Sequence, residues 1–190
     1  MLPWHGPRPK ANPMQISTID GPLSECCETQ CSQIGYTKPD GYFRACLASQ
    51  DAGKLTTFVA HEKERYAGHV KLVWHADYPT FREQDMPEIQ DLNVLPRHRK
   101  KGVGTTLIAH CEALASQRTD TIGIGVGLHP GYNNAQRLYT KLGYILDGHG
   151  VHYNNFPVEM GASYRFGDDL IIYFTKMLAS DTLLDVTPLT

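Results

Sequence analysis

The chain has 190 residues, of which 41% are hydrophobic and 20% are charged, and its formal net charge is -2. A chain of this length can bury one substantial core and is short for two. The balanced charge gives no sign of a nucleic-acid or membrane surface. No stretch approaches the roughly 20 apolar residues of a transmembrane helix, and the N-terminus lacks the apolar core of a signal peptide.

We therefore expect one domain, spanning residues 14–178, in a cytoplasmic protein. Residues 1–13 contain four prolines and predict an irregular arm, because proline neither propagates a helix nor pairs fully in a sheet. Residues 179–190 are expected to form a C-terminal tail.

Helical and strand patterns follow one another through the first half of this domain. The predicted elements are a strand at 14–19, helices at 22–35 and 40–49, and strands at 55–61 and 67–74. Gly35 would end the first helix, and an Asp40 cap would start the second, which would bury Phe43, Cys46 and Leu47. The two later strands, rich in β-branched and aromatic residues, predict an antiparallel hairpin. A polar connection at 78–87 would follow it.

A strand, a basic turn and a helix form the centre of the chain, between residues 88 and 114. The strand carries Ile89, Leu92, Val94 and Leu95, and Pro96 ends it. From Val103 the apolar residues recur at spacings of three and four, which predicts a helix over 102–118.

The next predicted strand, 121–128, has glycine at every second position. One face of that strand would therefore carry no side chains. Either a tightly packed helix or a ligand could approach its backbone there.

The rest of the domain is predicted as a helix at 134–142 that ends at Gly143, strands at 144–146 and 170–176, and a long loop at 148–169. Such an alternation of strands and helices implies an α/β sheet covered on both sides.

Cysteine and histidine usage predicts neither disulfides nor a metal site. The five cysteines are odd in number, at spacings that match no zinc site and no disulfide framework; they are Cys26, Cys27, Cys31, Cys46 and Cys111. Reduced thiols, mostly as small core residues, are the simplest account. The histidines contain no HxxxH pair.

The basic turn from Arg99 to Gly104 is a candidate anion site. Its glycines free the backbone, and the first N–H groups of the following helix have no partners within the helix. The helix dipole and three basic residues would favour a phosphate or pyrophosphate there. Alternatively, the turn only starts a helix beneath a solvated run of charge.

Two motifs decide between these interpretations. The turn matches RxxGxG at Arg99, Gly102 and Gly104, and a later segment matches AxxLYxxxG[FY] at Ala135, Leu138, Tyr139, Gly143 and Tyr144. Neither the Rossmann nor the P-loop fingerprint fits. Together the motifs resemble the coenzyme A signature of the GNAT superfamily of N-acetyltransferases, and the resemblance covers roughly residues 55–178.

The resemblance implies a mixed, mostly antiparallel central sheet with splayed central strands and helices on both faces. It also implies acetyl-CoA as co-substrate and no metal. The pyrophosphate would lie on the turn, at Arg99, Lys100, Lys101, Gly102, Val103, Gly104 and Thr105. Backbone groups near Val94 and Leu95 would hold the pantetheine.

One position departs from the family pattern. Many members carry an asparagine three residues before the alanine, where this chain has Tyr132. The cofactor contact would then come from Asn133 or Asn134 or be absent, and an N-cap role is the preferred interpretation of Asn134.

Three side chains are candidates for catalysis. Tyr139 matches the family tyrosine that would donate a proton to the departing thiolate; it could also be a core aromatic residue. Glu88 lies eleven residues before Arg99, the spacing of the general base in the histone-acetylating branch, and could equally be an exposed residue at the strand start. Asp91 would face the other side of the strand unless a bulge intervenes. It is a second base candidate or, preferably, a buried hydrogen-bonding residue.

The resemblance places the acceptor pocket among segments rich in aromatic residues and carboxylates, which suit a cationic amine. Its candidates are Tyr36, Tyr42, Tyr78, Phe81, Tyr153, Phe156, Tyr164, Asp168 and Asp169. We expect an N-acetyltransferase that acts on a small-molecule amine by direct attack in a ternary complex, and a homodimer is a further expectation. A protein acetyltransferase and a non-catalytic acetyl-CoA sensor are the alternatives.

Overall fold

The structure, a computed structural model, describes residues 14–33 and 38–179. The strands are β1 (Gln15–Thr18), β2 (Leu55–Glu62), β3 (Arg65–Val73), β4 (Glu88–Val94), β5 (Thr121–Gly127), β6 (Ile145–Tyr153), β7 (Phe156–Pro157) and β8 (Leu170–Met177). The helices are α1 (Gly21–Gln33), α2 (Tyr42–Asp51), α3 (Pro79–Glu83), α4 (Val103–Ala115) and α5 (Asn133–Lys141). Two 3₁₀ turns, Pro96–His98 and Pro130–Tyr132, precede α4 and α5.

All strands join one sheet in the order β1-β2-β3-β4-β5-β8-β6-β7. Every pairing is antiparallel except that of β4 with β5, which is parallel. The predicted α/β sheet and its hairpin at β2 and β3 are thus confirmed. Among the described residues, no helix is both long and apolar enough to cross a membrane.

Helices cover both faces of the sheet, as alternate residues of β2 demonstrate. Phe58 and Ala60 belong to the main core cluster, which includes Leu107 and Ile108 of α4. Val59, between them, belongs to a second cluster with Cys27 of α1 and with residues of α2. Successive side chains of a strand point to opposite faces, so α4 lies on one face and α1 and α2 lie on the other.

The sheet is open at its centre. β4 and β5 pair only at Glu88 with Gly123 and at Ile89 with Ile124. Beyond these two rungs the strands no longer pair, whereas β5 pairs with β8 along its whole length. The predicted gap between splayed central strands therefore begins one residue after Ile89.

A bulge in β4 lies beside this gap. The β3–β4 register shifts between His69 and Lys71, and Asp91 has a positive φ of 53°. The carboxylate of Asp91 contacts His69 and Lys71. The bulge expected as the exception in the sequence analysis is therefore present, and it turns Asp91 toward the face covered by α1 and α2.

Rings fill the bare face of β5. A Cβ atom at Gly123 would overlap the Phe81 ring, one at Gly125 would lie 2.9 Å from Tyr173, and one at Gly127 would overlap the Tyr132 ring. Neither a helix backbone nor a ligand is needed to explain the glycines, since aromatic side chains approach the strand instead.

Several predicted boundaries were wrong. The connection 78–87 contains the short helix α3, with Tyr78 and Phe81 buried. Gly41, not Asp40, is the N-cap of α2; it has a φ of 77°, and no side-chain cap bond is present. α4 ends at Ala115 instead of residue 118, because Ala115 is its last buried apolar residue.

The predicted loop at 148–169 was too long, because β6 continues to Tyr153 and pairs with β7. An irregularity between Leu146 and Val151, with positive φ at Gly148 and Gly150, interrupts the alternation on which a strand prediction depends. The predicted arm at 1–13, the helix end at Gly35 and residues 180–190 lie outside the described residues.

Candidate active site

The basic turn presents backbone N–H groups without a side-chain cap. Gly102 is the N-cap of α4, with a φ of 85°, and the preceding Lys100 also has a positive φ of 60°. No side chain caps the helix, and the first α-helical bond runs from Thr106 N–H to the Gly102 carbonyl at 2.9 Å. The N–H groups ahead of Thr106 are therefore free to bind an anion.

The arginine of the motif has a structural partner. Arg99 Nε donates to the Val94 carbonyl at 2.9 Å, which ties the turn to the end of β4. The Leu95 N–H donates to Ala67 at 2.9 Å. These backbone groups of Val94 and Leu95 are thus already bonded within the protein, and the predicted pantetheine contacts at both residues stay predictions.

The two sequence motifs meet in space. A Cβ atom at Gly104 would lie 3.5 Å from Leu138 and 3.8 Å from Val94. The first turn of α4 therefore packs between the end of β4 and helix α5. Tyr139, which follows Leu138 in α5, is buried, and its ring centroid lies 6.2 Å from that of Tyr144. Burial raises the pKa of the Tyr139 phenol, so it carries its proton at neutral pH.

Glu88 lies at the last paired rungs of β4 and β5, and it is 6% exposed. Its Oε2 accepts one hydrogen bond, from Gln90 Nε2 at 2.9 Å. Burial raises the pKa of Glu88 to about 7, although the Gln90 hydrogen bond opposes this shift. The exposed position considered in the sequence analysis is wrong, and a carboxyl group with this pKa can take up a proton near neutrality.

Asp91 is the centre of a polar network. Lys38 Nζ donates to its two oxygens at 2.6 and 2.7 Å, Tyr42 O–H donates to Oδ2, and His69 Nε2 lies 3.3 Å from Oδ2. Burial alone would raise the pKa of Asp91, but the hydrogen bonds from His69, Lys38 and Tyr42 outweigh it and hold that pKa well below its usual range. Such a carboxylate is a poor base.

Sequence reasoning did not find the partners of Asp91. Lys38 is 53 residues from Asp91 in the sequence and His69 is 22 residues away. Nothing local in the sequence marks such pairs. The one available signal was Lys38 itself, a cation just before α2 that could pair with a carboxylate of a neighbouring strand.

The family model for the acetyltransferase (GNAT) family matches residues 23–144. This match spans more than half of the chain and includes both motifs. The chain belongs to the GNAT family. It is therefore an acetyl-CoA-dependent acyltransferase, as the two motifs predicted. No curated protein sequence matches the chain.

Solved structures share the GNAT fold at low sequence identity. An N-acetyltransferase from Staphylococcus aureus is 15% identical with a TM-score of 0.62, over 88% of this chain and 100% of that chain. NAA60 of Arabidopsis thaliana, in complex with a bisubstrate analogue, is 14% identical with a TM-score of 0.62, over 88% and 99%. An aminoglycoside 6'-N-acetyltransferase complexed with coenzyme A is 18% identical with a TM-score of 0.60, over 87% and 97%.

The asparagines of this GNAT chain do not cap α5. Tyr132 is the N-cap residue, and Asn133 is already helical. Asn134 lies exposed in the first turn, so the preferred N-cap role of Asn134 was wrong. Because of the 3₁₀ turn at 130–132, the helix starts one residue earlier than predicted. The preference of asparagine for N-cap positions does not reveal such a shift.

The predicted acceptor residues that the structure describes fall into three groups. Tyr78 and Phe81 are buried, and the Tyr78 ring stacks on Tyr173 at 3.7 Å, so these two side chains pack the fold. Tyr42 and Asp168 have polar groups directed into side-chain networks. Exposed or half-buried positions are held by Tyr153, Phe156, Tyr164 and Asp169. Tyr36 lies outside the described residues.

All five cysteines lie within the described residues, and none is in a disulfide. Across 14–33 and 38–179, no group of three or more His, Cys, Asp or Glu side chains could hold a metal ion.

Proposed function

We propose that this GNAT protein transfers the acetyl group of acetyl-CoA to a primary amine of a small molecule, by direct attack in a ternary complex. The observation that carries the proposal is that the uncapped first turn of α4 packs beside the end of β4, where β4 and β5 no longer pair. Tyr139 and the buried Glu88 are the proposed proton donor and proton acceptor. A site with an anion cradle, a proton donor and a proton acceptor has the parts that acetyl transfer to an amine needs.

The first turn of α4 supports a pyrophosphate site. Its free N–H groups would bind the phosphate oxygens, and the residues that provide or flank them are Arg99, Lys100, Lys101, Gly102, Val103, Gly104 and Thr105. Lys100 and Lys101 are exposed and would add charge attraction. Acetyl-CoA would supply the activated thioester, and Asn134 remains a proposed contact at the start of α5.

Glu88 is the proposed general base. An ammonium group must lose one proton to become a nucleophile, and its nitrogen must lose a second proton as the amide forms. A carboxylate with a pKa of about 7 is matched to accepting such a proton. Asp91 is a weaker candidate, because Lys38 and Tyr42 already occupy its oxygens. We assign Asp91 the role of holding these two side chains against β4.

Tyr139 is the proposed general acid. Its phenol stays protonated at neutral pH because it is buried, and it follows Leu138, which packs on the α4 turn. A neutral phenol at this position would protonate the departing thiolate, and it would bind the thiolate more strongly than the thioester.

Direct transfer is favoured over an acyl-enzyme. Burial raises the pKa of Cys31 to about 11, and it also raises the pKa of Cys27 and Cys111. Such thiols supply almost no thiolate at neutral pH, which is the form that would attack a thioester.

A small-molecule acceptor is supported by the aromatic and acidic side chains beside β4 and at the end of β5, where Tyr42 bonds to Asp91 and Tyr132 bonds to Asp168. The proposal also includes a cytoplasmic location and a homodimer.

The test is thiol release from acetyl-CoA in the presence of aminoglycosides, polyamines, amino acids and lysine-containing peptides, with coenzyme A binding measured by calorimetry. Release that depends on one small amine would support the proposal and name the acceptor class. Release on peptides alone would favour a protein acetyltransferase. Tight binding without release on any amine would favour a sensor.

A further inference from the structure

Tyr132 lies at the open end of β5, on the same face as the bulge of β4. Its ring covers Gly127, where a Cβ atom would overlap it, and β5 no longer pairs with β4 at this level. The ring therefore lies against bare backbone at the edge of the gap. Gly123 and Gly125, on the same face, are covered by the rings of other residues. Gly127 is the glycine of β5 against which the Tyr132 ring packs.

The hydrogen bonds of Tyr132 have a fixed direction. The Gly131 N–H donates to His129 Nδ1 at 3.0 Å, so Nδ1 carries no proton. His129 Nε2 must then be the protonated nitrogen, and it donates to Asp168 Oδ1 at 2.8 Å. The Tyr132 O–H donates to the same oxygen at 3.1 Å. The Tyr132 oxygen consequently has lone pairs to offer and no proton left to give.

Burial and nearby carboxylates keep the Tyr132 phenol protonated. Burial and the carboxylates of Asp168, Asp91 and Asp169 raise the pKa of Tyr132 to about 12, and Tyr132 in turn raises the pKa of Tyr139. The Tyr132 O–H therefore stays bonded to Asp168, and the phenol oxygen keeps its lone pairs available for another donor.

We propose that Tyr132 is a positioning residue whose phenol oxygen, held by Asp168 and His129, accepts a hydrogen bond from an N–H group of a bound substrate. This inference rests on the proposed function. The N–H group can come from the acceptor amine or from a pantetheine amide. The amine is favoured, because the Tyr132 ring lies over Gly127 on the sheet face opposite α4. The proposed coenzyme A site, in contrast, lies at the first turn of α4, and Asp91 shares the face of Gly127.

The experiment compares wild type with Tyr132→Phe, which keeps the ring over Gly127 and removes only the oxygen. Tyr173→Phe is the matched control, since it removes a phenol oxygen from another ring that covers β5, and that hydroxyl donates to Asn155 and not to Asp168. Affinity for coenzyme A and for 3',5'-ADP is measured by calorimetry, and KM is measured for the panel amine with the highest turnover. Thermal unfolding verifies the fold of each variant.

We expect Tyr132→Phe to raise the KM of the amine about tenfold, with coenzyme A affinity unchanged. A similar loss of coenzyme A affinity with 3',5'-ADP binding unchanged would assign the N–H donor to pantetheine. Unchanged KM and unchanged coenzyme A affinity would overturn the inference. If wild type acetylates no amine, the proposed function fails, and unchanged coenzyme A affinity then overturns this inference as well.

Two variants test the part played by Asp168. Asp168→Asn retains an oxygen that can accept from Tyr132, whereas Asp168→Ala removes it. We expect Asp168→Asn to retain most of the wild-type KM and Asp168→Ala to behave like Tyr132→Phe. Equal losses in both variants would indicate that Asp168 acts through its charge alone, and would overturn its role in holding Tyr132.

Discussion

Two carboxylates three residues apart on β4 have opposite protonation behaviour. Glu88 is buried and accepts a single hydrogen bond, from Gln90, so burial dominates and raises its pKa to about 7. Asp91 is surrounded by Lys38, Tyr42 and His69, and its pKa is held low. The two environments suit different roles. The raised pKa of Glu88 suits a general base, and the low pKa of Asp91 suits a carboxylate that stays ionised in an ion pair.

The first prediction concerns Glu88→Gln. Wild-type activity should rise with pH through about 7, as Glu88 loses its proton, and the variant should lose this acidic limb together with most of its turnover. Glu83→Gln, on the exposed side of α3, is the control and should keep the wild-type profile. An unaltered profile in Glu88→Gln would transfer the role of base to another group or to water.

The same variant has a stability consequence. A folded-state pKa above the unfolded value means that the charged form of Glu88 is disfavoured in the fold, so wild type loses stability as the pH rises from about 4.5 to about 7. Glu88→Gln should therefore have a higher free energy of unfolding than wild type at pH 8, by up to about 3 kcal/mol, and little advantage at pH 4. Urea unfolding at both pH values measures this difference.

Asp91→Asn should destabilise the protein, because it leaves the Lys38 ammonium, whose side chain is 17% exposed, without its counter-charge. The expected loss is about 3 kcal/mol at neutral pH. Since the pKa of Asp91 is lowered in the fold, this stabilisation is present above about pH 4 and is lost as the pH falls further. Urea unfolding at pH 7 is the measurement, and Asp51→Asn, an exposed site at the end of α2, should be neutral.

The double variant with Lys38→Met completes the cycle. If the ion pair is the cause, Asp91→Asn should cost much less in the Lys38→Met background than in wild type. Equal costs in the two backgrounds would contradict that explanation.

At the scale of elements, β5 and the short helix α3 depend on one another. The Phe81 ring of α3 packs against Gly123, and the same cluster includes Tyr78, Met86 and Tyr173. α3 has only five residues, too few to be stable by itself. α3 is held in place by packing between its Phe81 ring and the neighbouring rings of Tyr78 and Tyr173, for which Gly123 and Gly125 leave space.

Gly123→Ala should lower the free energy of unfolding by about 1–3 kcal/mol, since the added methyl group would overlap the Phe81 ring. Phe81→Leu should recover part of this loss in the double variant. Gly21→Ala, which meets nothing within 4 Å, is the matched control. Thermal and urea unfolding measure the four proteins, and a loss in Gly21→Ala as large as in Gly123→Ala would show that packing against Phe81 is not the cause.

At the scale of the whole molecule, the sheet consists of two parts joined by two rungs between β4 and β5. A ligand in the gap contacts both parts and binds only the folded state, so it must stabilise the protein by mass action. At a coenzyme A concentration of 100 Kd the gain is about 2.7 kcal/mol. For a domain of this size that corresponds to a rise in Tm of about 5–10 °C.

Gly102→Glu should abolish this rise, because it places a carboxylate at the proposed pyrophosphate site. Gly102→Ala is the matched control: both variants are strained by the φ of 85° and begin with a lower Tm, but the alanine adds no charge. A Tm that rises with coenzyme A in Gly102→Glu as it does in wild type would remove the turn from the binding site. Thermal unfolding over a coenzyme A titration decides between the two outcomes.

The sequence alone determined the features that depend on local chemistry. Glycines and basic residues before an amphipathic helix predicted the turn at Gly102, and periodicity placed β2, β3, β4, α4 and β5 within a few residues, because backbone propensity and alternation act over short distances. The motif pair also predicted the family. The catalytic roles of Tyr139 and Glu88 stay predictions.

Only the tertiary structure decided how distant residues meet. The bulge that turns Asp91 toward Lys38 depends on the close approach of Gly68 to β4, and the contact of Tyr132 with Asp168 joins residues 36 apart in the sequence. The burial of Tyr78 and the extension of β6 to Tyr153 likewise depend on neighbours from other elements. Side-chain networks and strand registers arise from packing between segments, and local sequence preferences carry no information about which segments will be neighbours.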